Sequence, residues 1–122
     1  MSNRLIKSFG YAIEGIGTLF KETPNARIHF ILAILAIFLG FFLKISSLEW
    51  MVLFLSIGFV VCAEGFNTAI ETITDLASPD IHPLAKKTKD IAAGAVLIAA
   101  LTSIAIGILI FAPKIINLFS AF

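Results

Sequence analysis

Three carboxylates and one amide recur at helical spacing within the segment CAEGFNTAIETITD, residues 62–75. Glu64, Asn67, Glu71 and Asp75 stand at positions i, i+3, i+7 and i+11, so an α-helix places them in one stripe along a single face. Carboxylates held this close repel one another unless a cation, a lysine or a proton lies among them. We therefore interpret this acidic stripe as an active site.

The two glutamates of the acidic stripe suit different chemistry. Glu64 follows the apolar run 50–63, and a carboxylate at the bilayer centre costs about 2.5–3.5 kcal/mol, which makes a functional role the default interpretation. It is nearest to the lipid and is the candidate general base for a hydroxyl proton. Glu71 is a hard oxygen ligand of the kind that binds Mg²⁺ together with phosphate oxygens, and Asn67 can orient either glutamate.

A basic segment, KKTKDIAA at residues 86–93, follows the acidic stripe across a short loop. Lys89 can hold a phosphate as a point charge. Together these groups fit phosphoryl transfer, in which positioning and charge neutralisation supply most of the catalysis. The chain has no GxxxxGK(S/T) loop and no HRD or DFG pattern, which excludes the common soluble kinases. From spacing alone, simple pairing of acids and bases at a helix boundary stays open as the alternative.

The composition is that of an integral membrane protein. Of the 122 residues, 59% are hydrophobic and 14% charged, with a mean hydropathy of +1.02, whereas soluble domains are about 45–50% apolar and a quarter charged. A net charge of +1 gives no indication of a nucleic-acid partner. One cysteine, Cys62, excludes an internal disulfide. We expect a single domain over residues 1–122.

Four helices must position the acidic stripe and the basic segment. Residues 4–21 carry apolar side chains at helical spacing with charges elsewhere, which predicts an amphipathic helix in the membrane interface. Transmembrane helices are expected at about 26–45, 49–72 and 84–112, the last ending before Pro113. The predicted fold class is an all-α membrane protein, an N-terminal interfacial helix plus three spans.

Several other side chains have structural interpretations. His29, near the end of the first span, is interpreted as an interfacial or hydrogen-bonded histidine rather than a metal ligand. His82 is predicted to be a loop or surface group, and Trp50 an interfacial anchor. Small residues that would let helices pack closely share one face of the third span: Ala92, Ala95, Ala99 and Ser103.

Basic residues are concentrated in two segments: Arg4, Lys7, Lys21 and Arg27 near the N-terminus, and Lys86, Lys87 and Lys89 in the second loop. The first loop and the C-terminal segment contain one lysine each, Lys44 and Lys114. The positive-inside rule therefore predicts a cytoplasmic N-terminus and second loop. The acidic stripe and Lys89 would meet at the cytoplasmic face, where ATP and Mg²⁺ are available.

The run EGFNTAIETITD, followed by HPLAKKTKDIAAGAVLIAA, resembles the signature of the prokaryotic diacylglycerol kinase family. Members are small three-span membrane enzymes with E-x-x-N-(S/T)-A-I-E-x-x-x-D followed by A-K-D-x-(A/G). The resemblance covers nearly the whole chain, including NARIH at 25–29 and SLEWM at 47–51. One departure is Thr88, where the A-K-D motif has alanine.

The resemblance implies an ATP- and Mg²⁺-dependent lipid kinase of the bacterial cytoplasmic membrane, a homotrimer with sites built at subunit contacts. It implies Glu64 as general base, Asn67 as a nearby polar contact and Glu71 as a metal ligand. Lys89 and Asp90 would be nucleotide-binding groups.

The N-terminal part of the chain matches the family at some site positions and departs from it at one. Arg4, Tyr11 and Gly15 match positions that border the family's site. A second metal-binding glutamate usually precedes the first span, and that position falls on Thr23, with Glu22 one residue earlier. Either Glu22 substitutes through a local shift, or metal binding differs in this chain.

Two lipid acceptors divide the family: undecaprenol, which gives undecaprenyl phosphate, and diacylglycerol, which gives phosphatidic acid. The segments HPLAK at 82–86 and LEWM at 48–51 resemble the undecaprenol kinase branch more than the enterobacterial diacylglycerol kinases. The competing functions are a small oligomeric transporter or channel with an essential glutamate, and a structural or regulatory membrane subunit. Clustering of the acids at one end of a span, with lysines opposite, favours the enzyme.

Overall fold

The computed structural model describes residues 2–122, which form four helices: α1 (Ser2–Glu22), α2 (Pro24–Phe42), α3 (Ser47–Ala77) and α4 (Pro83–Ser120). No strand occurs among these residues. The three helices α2, α3 and α4 are each long and apolar enough to cross a membrane. The predicted all-α membrane fold, an N-terminal helix ahead of three spans, is thereby confirmed.

The last helix continues beyond the residue at which the last span is predicted to end. The sequence predicts an end at residue 112, whereas α4 continues through Pro113 to Ser120. Proline lacks one backbone N–H, so only the carbonyl four residues earlier, at Leu109, loses its helical partner. Ending the helix there would leave several more backbone groups unpaired in an apolar segment, which explains why proline inside a transmembrane helix is tolerated.

The connection between α2 and α3 is a tight turn closed by hydrogen bonds. Lys44 has φ 53°, a left-handed conformation that costs a non-glycine residue about 1–2 kcal/mol. The N–H groups of Lys44 and Ile45 bond carbonyls in the last turn of α2, as in a Schellman motif. Ser46 and Glu49 then form a capping box, with side-chain bonds of 3.2 and 3.0 Å to each other's backbone N–H groups. The connection therefore directs α3 back antiparallel to α2.

Helices α3 and α4 form the most extensive helix pair and run antiparallel. Three polar contacts join them along their length: Glu49–Lys114 at 3.1 Å, Ser56–Ser103 at 2.8 Å and Asp75–Lys89 at 2.5 Å. The predicted small-residue face is used in part, since Ala92 and Ala99 are buried and Ser103 makes the central hydrogen bond, while Ala95 is exposed.

The ends of α3 and α4 that carry the acidic stripe and the basic segment extend past the start of α2. The hydroxyl oxygens of Thr23 and Thr68 lie 3.3 Å apart, so α2 begins at the level of Thr68. At 1.5 Å per residue, the 31 residues of α3 span about 46 Å, well beyond a hydrocarbon core of about 30 Å. The last turns of α3 and the first turns of α4 therefore form a two-helix arm at one membrane face.

Candidate active site

Among residues 2–122, Glu64 is the most deeply buried large side chain. Its side chain is 1% exposed, and Val60, one turn earlier on the same helix, is buried as well. Neither carboxylate oxygen makes a hydrogen bond among the described residues. The nearest polar partner is His29 on α2, whose Nε2 lies 3.3 Å from Oε1. A buried carboxylate without hydrogen bonds is costly, and such groups often have a catalytic role.

An apolar groove begins at His29, the residue that contacts this carboxylate. It is lined by α2, α3 and α4, encloses about 300 Å³, and extends from His29 to Phe111 in the apolar cluster near the opposite end of the bundle. Its walls are almost entirely aliphatic, with Ser103 as the other polar side chain besides His29. The groove can accommodate an extended hydrocarbon chain whose polar end would lie at His29, next to Glu64.

Asn67 and Glu71 lie together on the next turns of α3. Asn67 Nδ2 donates a 3.4 Å hydrogen bond to Glu71 Oε1, and Asn67 Oδ1 is buried without a partner. Glu71 itself is exposed. An unpartnered amide oxygen beside an exposed carboxylate is a pair of hard oxygen donors, and this donor set fits Mg²⁺.

Glu22 and Thr23, the two candidates for the linker metal ligand, differ in their surroundings. Thr23 is half-buried against Thr68, one residue from Asn67, whereas Glu22 is exposed and makes no polar contact within residues 2–122. In that same range no three His, Cys, Asp or Glu side chains lie close enough to hold a metal ion. A site of this composition suits Mg²⁺, which is held by one or two carboxylates together with phosphate oxygens and water.

Lys89 and Asp90 lie at the base of the two-helix arm, and both are paired. Lys89 Nζ contacts Asp75 Oδ1 on α3, and Asp90 contacts Lys86 one turn earlier on α4. A cleft of about 290 Å³ between the helix ends is lined by these four charged side chains and by the loop 78–82. His82 caps α4 by accepting a 3.1 Å hydrogen bond from the N–H of Leu84, in agreement with its predicted loop position.

Helix α1 contacts the bundle mainly through its C-terminal end. Leu19 is buried near Gly65, and the rings of Phe20 and Phe30 are 5.2 Å apart. The three predicted site residues on α1 are exposed, and within the described chain they do not contact the acidic stripe or the basic segment: Arg4, Tyr11 and Gly15.

Two contacts at the site are absent from the sequence-based prediction: His29 with Glu64, and Thr23 with Thr68. The sequence contains a pattern that could have predicted the contact of His29 with Glu64. Both residues stand at similar distances from the α2–α3 connection, so an antiparallel hairpin places them at similar depth.

The sequence profile of the prokaryotic diacylglycerol kinase family matches residues 10–111. Undecaprenol kinase of Bacillus subtilis (strain 168) is 44% identical over 113 residues, which are 93% of this chain and 92% of that protein. Diacylglycerol kinase of Synechocystis sp. is 36% identical over 115 residues, covering 93% of this chain and 66% of that protein. Diacylglycerol kinase of Escherichia coli (strain K12) is 28% identical over 101 residues, 83% of each chain.

The family match includes the acidic stripe, the basic segment and most of all three spans. It agrees with the resemblance in the motifs and with the three helices able to cross a membrane. The chain therefore belongs to the prokaryotic diacylglycerol kinase family and is a membrane lipid kinase.

Proposed function

We propose that the protein transfers the γ-phosphate of ATP to the hydroxyl group of undecaprenol in a Mg²⁺-dependent reaction. The observation that carries this proposal is the buried Glu64 carboxylate, with both oxygens free of hydrogen bonds among the described residues, in contact with His29 at the end of the apolar groove. A lipid whose chain lies in the groove would bring its hydroxyl group to the carboxylate.

The chemistry divides between the two glutamates. Glu64 accepts the hydroxyl proton as the acceptor oxygen attacks the γ-phosphorus and the bond to the leaving ADP breaks. Glu71 and the free Oδ1 of Asn67 would hold Mg²⁺, which when bound neutralises charge on the phosphate oxygens. Lys89 contributes a positive charge at the arm, and Asp90 lies next to it at the cleft.

Undecaprenol is proposed over diacylglycerol because of two similarities. Identity to the Bacillus undecaprenol kinase is 44% over nearly the full length of both proteins, against 36% and 28% for the two diacylglycerol kinases above. The segments HPLAK and LEWM also resemble the undecaprenol kinase branch.

The proposed setting is the bacterial cytoplasmic membrane, with the N-terminus and the two-helix arm in the cytoplasm. Its support is the concentration of arginine and lysine at the N-terminus and in the second loop. A homotrimer is proposed from the family resemblance. It would give the exposed α1 residues Arg4, Tyr11 and Gly15 a neighbouring subunit to contact.

The test is transfer of label from γ-³²P-ATP to lipid by the purified protein in one detergent, with undecaprenol or diacylglycerol as acceptor and with or without Mg²⁺. We expect faster initial phosphorylation of undecaprenol, dependence on Mg²⁺, and loss of transfer in Glu64→Gln. Faster phosphorylation of diacylglycerol would overturn the acceptor and leave the kinase intact. No transfer to either lipid would overturn the proposed function.

A further inference from the structure

We propose that His29 is a positioning residue for the phosphoryl-transfer reaction, holding the Glu64 carboxylate so that one of its oxygens faces the acceptor hydroxyl. This inference rests on the proposed function, in which Glu64 is the general base. The observation behind it is the 3.3 Å contact between His29 Nε2 and Glu64 Oε1.

Glu64 needs an external group to fix its orientation. A glutamate side chain has three rotatable bonds, and neither oxygen of this one is held by a hydrogen bond from the described residues. Misplacement of a reacting group by about 1 Å can cost about 100-fold in rate. His29 is the one ionisable side chain in residues 2–122 that contacts the carboxylate, so it is the group available to restrain it.

The contact divides the two carboxylate oxygens between different tasks. Oε1 is the oxygen next to the imidazole, which leaves Oε2 for the proton of the acceptor. His29 also lines the apolar groove, and its side chain is 22% exposed against 1% for Glu64. The imidazole therefore lies at the groove end where the hydroxyl group of a bound lipid must arrive. Catalytic hydrogen bonds in ligand-free structures are often poorly aligned and become aligned in the reactive complex, as this contact would.

The position of His29 is fixed by contacts of the helix that carries it. Two contacts hold the first turns of α2: the hydroxyls of Thr23 and Thr68 are 3.3 Å apart, and the rings of Phe20 and Phe30 are 5.2 Å apart. These contacts lie before and after His29 in sequence. The helix that carries the histidine is thus anchored to both α3 and α1, and the imidazole can serve as a fixed support.

The competing explanation is that His29 only compensates for burial of a carboxylate, with no part in catalysis. Both explanations predict some loss of stability when the histidine is removed. They differ in kinetics, because a positioning role acts on kcat through Glu64 and not on the affinity for MgATP. They also differ in whether a neutral hydrogen-bond donor can replace the imidazole.

The experiment compares His29→Leu, which removes the donor, with His29→Gln, whose amide nitrogen can reach a similar place. Asn25→Leu is the matched control, an exposed polar-to-leucine change one turn earlier on the same helix face. We expect His29→Leu to lower kcat for undecaprenol about 10- to 100-fold with KM for MgATP within about twofold. His29→Gln should recover to within about fivefold of the parent, and Asn25→Leu should match the parent.

A double variant tests whether His29 acts through Glu64. In the Glu64→Gln background, His29→Leu should lower the residual rate by less than about twofold, because the group it positions is gone. Three results would each overturn the positioning role. They are parent-like activity of His29→Leu, failure of His29→Gln to recover activity, and an undiminished effect of His29→Leu in the Glu64→Gln background. A parent-like rate of Glu64→Gln alone would overturn both the general-base role of Glu64 and the positioning role of His29. If the parent enzyme phosphorylates neither lipid, the proposed function and the positioning role are both overturned. Titration with MgATP checks that each variant is folded. If His29→Leu does not bind nucleotide, the activity of His29→Gln decides whether His29 positions Glu64.

Discussion

Lys89 Nζ lies 2.5 Å from Asp75 Oδ1, so the lysine proposed to hold a phosphate is paired across the two-helix arm before any nucleotide binds. Both side chains are partly exposed, at 40% and 66%. An exposed ion pair of this kind is screened by solvent and contributes little to stability. A triphosphate can therefore displace Asp75 from Lys89 at little cost.

The first prediction concerns this lysine. Lys89→Met should raise the KM for MgATP about tenfold or more, because a charge-assisted contact to phosphate is lost. Lys87→Met is the matched control, since Lys87 is exposed and makes no ion pair within the described chain. The measurement is initial rate against MgATP concentration at saturating lipid. Equal KM values for the two variants would remove Lys89 from the nucleotide site.

The second prediction separates Glu64 from Glu71. Glu64→Gln keeps the shape and removes the proton acceptor, so kcat should fall about 10²–10⁴-fold with little change in MgATP affinity. Glu71→Gln should weaken MgATP binding and raise the Mg²⁺ concentration needed for half-maximal rate, because it removes a metal ligand.

The measurement for both glutamates is a nucleotide titration over a range of Mg²⁺, with Glu22→Gln beside them. A Mg²⁺ requirement raised in Glu22→Gln would support the predicted linker ligand. If Glu64→Gln lost nucleotide binding while Glu71→Gln kept it, the two roles would be reversed. Parent-like behaviour of both would make the acidic stripe structural.

The third prediction is topological. Three spans and a cytoplasmic N-terminus place the C-terminus outside the cytoplasm. A reporter fused after Phe122 should therefore behave as extracytoplasmic, and one inserted in the loop 78–82 as cytoplasmic. Activity of the C-terminal reporter inside the cell would contradict the orientation and the location of the site.

The fourth prediction concerns packing at the opposite end of the bundle. A Cβ atom on Gly40 would lie 2.8 Å from the Trp50 ring, which packs against Phe41 and Phe54 with centroids 4.8 and 5.4 Å away. Because the ring has little room to move, Gly40→Ala should lower the free energy of unfolding by about 1–3 kcal/mol. Gly58→Ala, where nothing lies within 4 Å, is the control and should leave it unchanged or raise it by up to about 1 kcal/mol, because alanine is the better helix former. The measurement is the midpoint of thermal unfolding of both variants in the same detergent. Equal midpoints would show that the Trp50 ring can move to make room for the added methyl group.

The sequence alone predicted the helices, the acidic stripe and the family. These features depend on local periodicity and hydropathy: residues i, i+3 and i+7 share a helix face whatever the helix packs against. The capping box at Ser46 and Glu49 is also local, although it was not predicted. Helix α4 continues past Pro113, next to the predicted end of the last span, because the cost of unpaired backbone in lipid outweighs the tendency of proline to end a helix.

Only the tertiary structure decided which side chains meet across helices. The contact of His29 with Glu64 depends on the tight α2–α3 turn, and that of Lys89 with Asp75 depends on the register of α4 against α3. Registers are set by the summed packing of many apolar side chains, which no single spacing reveals. For the same reason the sequence placed Arg4 with the acidic stripe by resemblance, whereas within one chain α1 contacts the bundle mainly near Leu19 and leaves Arg4 exposed.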